Sequence, residues 1–192
     1  MKKVLMAVVV MAAMAASAEL KIASVNMMEL VTFHPRRADD SKLLKSKDAE
    51  YKKRLDEKRD AIDKIEKEFR EAQQEAQNPM LTENAKKAAF AKLEDLQKRG
   101  IAAQNEFRSA AQEFQADLQK LDADLLRAVS SSIRDKVEAF AKEKGYDVIL
   151  DVTTTPYIAK SLDVTDDVLR LFGVDGEAKR AEAKKDQEEQ AK

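Results

Sequence analysis

The sequence has 192 residues, 37% of them charged and 5% aromatic, with four Gly, three Pro and no Cys. The formal net charge of −1 leaves no basic excess for a nucleic-acid partner, and the lack of cysteine removes disulfides, thiolate nucleophiles and Cys-based metal sites. Few large apolar side chains and few turn residues suit long solvated helices better than a compact globule.

The first element is an address. Lys2 and Lys3 precede an uncharged apolar run from Val4 to Ala16, and Ala16-Ser17-Ala18 has the small-x-small form of a cleavage site. Residues 1–18 therefore read as a secretory signal peptide cut before Glu19. The run is about thirteen residues, against the ~20 that span a bilayer. Removing Lys2 and Lys3 from the 35 basic side chains leaves 33 against 36 acidic ones, a formal charge of −3 for the exported chain.

Residues 19–35 contain a first body strand, Leu20 to Met27 (LKIASVNM), short and rich in branched residues. Phe33-His34-Pro35 interrupts it, and Pro35 can open a helix.

Residues 36–144 read as a helical hairpin. Leu44, Asp48, Tyr51, Leu55, Lys58, Ile62, Ile65, Phe69, Ala72 and Ala76 recur at alternating steps of four and three, which is a heptad seam. Glu50–Arg54, Asp60–Lys64, Asp63–Lys67 and Glu66–Arg70 are acid-first pairs four residues apart, a pattern that supports an exposed helix weakly. Asn78-Pro79 stops this helix, the turn occupies 78–82, and Thr82 is placed to cap the next helix. The second seam is Ala89, Leu93, Leu96, Gly100, Ala103, Phe107, Ala110 and Phe114. After Phe114 the steps become mostly fours, through Leu118, Leu121, Leu125, Val129, Ile133, Val137 and Phe140, a stutter that ends coiled-coil geometry. A short turn makes the two helices antiparallel. Residue 38 then lies opposite roughly residue 122, at equal rise on both helices, so the end of the second helix needs other neighbours.

Those neighbours come in 145–172. Gly145 ends the helix, Tyr146 to Val152 (YDVILDV) and Tyr157 to Leu162 (YIAKSL) read as strands around a turn, and Val164-Thr165 opens a short helix. Thr165 is expected to cap it, Asp166 and Asp167 to sit in its positive first turn, and Val164 to staple against Leu169. Gly173 closes it. Residues 173–192 have no apolar stripe and read as a flexible tail, disordered or a frayed helix.

Three short strands and one small helix make a poor core, and a small sheet leaves edges that invite pairing. Ile22, Val25, Val148, Ile149, Leu150, Ile158 and Leu169 are the expected core of the body or of its assembly. The consecutive Val148-Ile149-Leu150 asks for burial on both faces of one strand. Oligomerisation, with strands from several copies closing a barrel, would meet that need.

The opening KIASVNM, the charged helical middle and the closing GYDVILD…YIAKSLDVTDDVL together resemble the Skp/OmpH family of periplasmic chaperones over nearly the whole exported chain. The resemblance implies an α+β fold: a long antiparallel α-helical hairpin, or coiled-coil tentacle, on a small β body completed by trimerisation. It implies an ATP-independent holdase of the periplasm, a homotrimer that binds unfolded outer-membrane proteins in a cavity between its helical arms. The family's members are basic and this chain is slightly acidic, so contact with a membrane is expected to be weak and peripheral at most. The tail after Gly173 has no counterpart in the family pattern.

Holding an unfolded client takes weak, multiple, sequence-tolerant contacts. The apolar residues off the seams, Met80 and Leu81 at the turn and Phe90 and Ile101 on the second helix, are the candidates for client binding. Each has the plainer alternative of packing locally within the hairpin. No enzyme is indicated and no cofactor is expected: His34 is the lone histidine and reads as a surface residue, Ser130-Ser131-Ser132 lies in a helix without a nucleophile-elbow context, and Gly-rich phosphate loops are missing. The alternative from another class is a structural coiled-coil scaffold of the envelope that binds no client.

Overall fold

The computed structural model describes residues 20–190; the signal peptide expected over 1–18 lies outside them. In chain order the elements are β1 (Ile22–Val25), α1 (Met27–Phe33), α2 (Arg37–Ala76), α3 (Glu83–Lys144), β2 (Val148–Asp151), a 3₁₀ turn (Lys160–Leu162), α4 (Thr165–Leu171) and α5 (Gly176–Gln190). This is the α+β class with two dominant long helices. The described residues fall into two compact units, 38–127, and 20–37 together with 128–190.

The unit formed by 38–127 is an antiparallel helical hairpin. All ten positions of the first seam, Leu44 to Ala76, are buried or half-buried, whereas nearly every other side chain of α2 between them is exposed. All eight positions of the second seam, Ala89 to Phe114, are withdrawn from solvent as well, with Leu96, Ala110 and Phe114 fully so. The heptad spacing thus translates directly into the contact stripe. The Thr82 hydroxyl accepts from the Ala85 N–H at 3.4 Å, as its position before an acidic first turn requires. Within the hairpin, Lys58–Glu106, Lys92–Glu75 and Arg99–Glu68 join the two helices. The i,i+4 pairs fall at Asp48–Lys52, Lys67–Glu71, Glu94–Lys98 and Asp95–Arg99 instead of the four expected ones, and Glu50 turns to Lys47.

The other unit contains a two-stranded parallel sheet in which Ile22, Ala23, Ser24 and Val25 face Val148, Ile149, Leu150 and Asp151. Its core is Ala23, Val25, Leu30, Val129, Ile133, Phe140, Val164, Val168 and Leu169. The second half of α3 supplies three of these, which is where the four-residue steps after Phe114 lead. Gly145 and Gly173 take φ of +70° and +73°, the left-handed conformation that ends a helix most easily with glycine.

Three expectations are corrected here, and one open alternative is decided. Residues 27–33 form α1 instead of continuing the strand: the Asn26 side chain accepts from the Glu29 N–H at 3.1 Å, an N-cap that ends the extended run. The segment 157–162 is no strand. Tyr157 is 84% exposed, the chain turns through the 3₁₀ bonds Leu162 to Ala159 and Asp163 to Lys160, and β1 is met on that side by a single bridge between Ser24 and Asp163. Thr165 does not cap α4 with its own side chain. The N-cap position is Val164, which makes no side-chain cap bond; the Asp163 carboxylate, one residue earlier, accepts from the Thr165 N–H at 2.9 Å, while the Thr165 hydroxyl accepts from the Asn26 N–H at 2.8 Å and ties the starts of α1 and α4 together. The tail, read as disordered or a frayed helix, forms the helix α5. Its first turn is held: Asp175 accepts from the Ala178 N–H at 3.1 Å, and Arg180 reaches Asp166 at 2.5 Å and Glu29 at 3.5 Å. Gly176 lies so close to α4 that a Cβ there would run into the Asp166 carboxylate and come within 2.8 Å of Leu169 Cδ1.

Candidate functional site: the hairpin surface and the open strand

A hairpin whose seams use Ala72, Ala76, Ala89, Gly100, Ala103 and Ala110 buries little area per turn. Its larger side chains concentrate the contact. Phe114 is buried and stacks on Tyr51, whose hydroxyl donates to Asp117 at 3.2 Å, and the Arg54 guanidinium lies over the Phe114 ring at 4.5 Å. Desolvation, then the negative charge of Asp117, pushes the Tyr51 phenol up from its ordinary range, so it stays neutral and donating.

Three of the four expected client contacts lie free on this unit: Met80 is 89%, Phe90 62% and Ile101 53% exposed. Leu81 is half-buried beside Ala85 and Ala89, folded over the turn, which is the plainer alternative for that position. Two shallow grooves run between the helices. One, of about 320 Å³, is lined by Ile65, Phe69, Leu96, Gly100 and Ile101 among others. The second, of about 430 Å³, is lined by Ile62, Phe107 and Ala111 with polar neighbours. Such open apolar troughs offer contact area without an enclosed pocket.

The expected body residues divide. Val25 and Leu169 are buried in the core, and Ile149 packs against it. Ile22 and Ile158 are half-buried. Val148 and Leu150 are 38% and 37% exposed, on the face of β2 opposite Ile149. Among the described residues β2 pairs with β1 alone, so its other edge keeps unpaired main-chain groups beside an apolar face. The composition did not single out Leu30, Ile133 or Val168, each fully buried. The four-residue steps on α3 carried the signal for Ile133, and the turn chemistry around Asn26 and Asp163 carried it for the other two. His34, expected on the surface, is buried and packs on Phe172 at 4.8 Å between ring centroids, with Nδ1 accepting from the Arg36 N–H at 3.2 Å.

Among the described residues no group of three or more His, Asp or Glu is placed to hold a metal ion. No helix among them is long and apolar enough to cross a membrane. The carboxylates held below their usual range, such as Glu50 beside Lys47 and Glu94 beside Lys98, are exposed partners of lysines on the same helix, the arrangement of a solvated surface and not of an acid–base pair.

A family profile described as outer membrane protein (OmpH-like) matches residues 21–172. The chaperone protein Skp of Pectobacterium atrosepticum is 28% identical over 174 residues, covering 88% of this chain and 98% of that protein. The chaperone protein Skp of Yersinia enterocolitica is 24% identical over 170 residues with the same coverage.

Proposed function

The chain belongs to the OmpH-like family, and from that premise we propose that it is an ATP-independent holdase chaperone of the periplasm that binds unfolded outer-membrane proteins. The observation that carries this reading is the hairpin surface. Met80, Phe90 and Ile101 stand exposed on a long, thinly packed pair of helices, and the apolar contacts available to a partner are dispersed along shallow troughs. Many weak contacts retain a client without selecting one sequence. The name of the two chaperone relatives supports the same class. The free edge of β2, with Val148 and Leu150 exposed beside it, favours completion of the sheet by sister copies, and a homotrimer is the assembly we propose.

The test is paired. A β-barrel outer-membrane protein diluted from urea is followed by turbidity with and without the chain, in the absence of nucleotide, while light scattering gives the chain's mass. Suppressed aggregation by a species of three copies is expected. A trimer that leaves aggregation unchanged would favour the envelope scaffold, and a lone monomer would remove the proposed assembly.

A further inference from the structure

All five glutamines of α3, Gln97, Gln104, Gln112, Gln115 and Gln119, are exposed. At roughly 100° per residue they fall within about 40° of a single line along the helix, together with Phe90 and Ile101. Between Phe90 and Gln119 that line carries charge at Glu94 and Arg108 alone, on a helix otherwise dense in Lys, Arg, Asp and Glu. Among the described residues none of the five side-chain amides has a hydrogen-bond partner, whereas Glu94 on the same line is paired with Lys98.

The stripe borders both grooves of the hairpin. Gln97 and Gln104 line the first, and Gln104, Gln112 and Gln115 line the second, so Gln104 belongs to both. The apolar linings centre on Leu96–Gly100 and on Phe107–Ala111. Those levels are separated by about 16 Å at 1.5 Å per residue of helix. An extended chain covers that distance in about five residues.

We propose that this face of the hairpin is a docking groove for one extended segment of an unfolded outer-membrane β-strand. Apolar residues i and i+4 of the segment enter the two troughs, and the glutamine amides hydrogen-bond its main chain. A membrane-barrel strand alternates apolar and polar side chains, so i and i+4 present on one face about 13 Å apart, less than the distance between the trough centres but within the stretch covered by the two linings, which meet at Gln104. Each amide carries both a donor and an acceptor, and every peptide unit offers both in return. Recognition by the amides is therefore independent of side-chain sequence, the troughs ask only for apolar residues at i and i+4, and a near-neutral stripe neither repels nor requires charge on the client. This inference rests on the chaperone reading above and adds to it the site and the form of the bound segment.

In the full chain, Gln97→Glu, Gln104→Glu and Gln112→Glu together keep side-chain shape while removing three donors. The control, Gln73→Glu, Gln74→Glu and Gln77→Glu, adds the same charge at exposed positions that line neither groove. Binding of a β-barrel protein diluted from urea is titrated by fluorescence. The groove variant is expected to bind about tenfold more weakly while the control stays within about twofold of the parent chain. Equal affinity of the groove variant, the control and the parent chain would overturn the groove and leave the chaperone reading standing; absence of binding by the parent chain would remove both. A photo-crosslinker in place of Gln104 is expected to capture that client and one in place of Gln74 is not. Equal capture at the two positions would overturn the groove even if the triple variant failed to fold.

Discussion

The ring of Tyr51 lies flat on that of Phe114, with centroids 4.3 Å apart and planes 4° from parallel. It is an aromatic contact across a seam otherwise rich in alanine. Phe114→Ala is expected to destabilise the hairpin by about 3–5 kcal/mol, part of it the aromatic pair itself, about 0.5–1.5 kcal/mol. Tyr51→Phe keeps the stack and loses an exposed hydrogen bond, so it is expected to cost under about 1 kcal/mol. Urea titration with amide exchange across both seams checks the pair; equal losses in the two variants would show that the stack is not what holds this level together.

Gly100 is the weak point of α3. A Cβ there would stand 3.6 Å from Ile65 Cγ2, an ordinary contact, so the position tolerates alanine. Gly100→Ala is expected to stabilise the hairpin by about 1 kcal/mol through helix propensity. Amide exchange around residue 100 is expected to slow. Faster exchange in the variant would mean that the contact with Ile65 is strained.

The Asp151 carboxyl is an acid-sensitive group of the body. Burial opposes its ionisation, but the N–H and hydroxyl of Thr153 at 2.9 and 2.8 Å and the Met27 N–H at 3.4 Å outweigh it and hold the carboxyl below its ordinary value. Its folded pKa is thus lower than its unfolded one, about 3.9. The stability it contributes is present above about pH 4 and is lost as pH falls through the folded value. Asp151→Asn is expected to be less stable than the parent chain near pH 7, with the difference closing in acid. A gap between the urea midpoints that does not change with pH would contradict this.

Arg180 holds the start of α5. It is about one-third exposed, as are its partners Glu29 and Asp166, so the ion pairs are partly screened and together contribute about 1 kcal/mol. Arg180→Ala, or high salt, is expected to speed amide exchange in 176–190 while leaving the core of Leu30, Ile133 and Leu169 as protected as before. Unchanged exchange in α5 would assign its docking to the close packing of Gly176 on Leu169 instead.

The helical hairpin was legible because its signal is periodic and local. Steps of four and three, a Pro after Asn78 and a cap at Thr82 each act within a few residues, and seam burial follows them position by position. The exposure of Met80, Phe90 and Ile101 followed from the same register. The glutamine stripe was written there too, but polar residues on a helix surface carry no hydropathy contrast to draw attention to them.

The body was harder to read. YIAKSL has strand composition, yet a third strand forms only if a partner edge takes its main-chain bonds. Here Val164 is buried and Asp163 bridges to Ser24, so the segment before them turns. The same composition leaves α5 looking unstructured, because its docking depends on Asp166 and Glu29, which are distant in sequence. The amino-acid sequence by itself determined the long helices, their turn and their seams, since those forces act over one or two helical turns. Only the tertiary structure decided that β1 pairs in parallel with a strand more than a hundred residues away, that His34 is buried, and that β2 keeps one edge open, since each depends on which distant groups reach the same place.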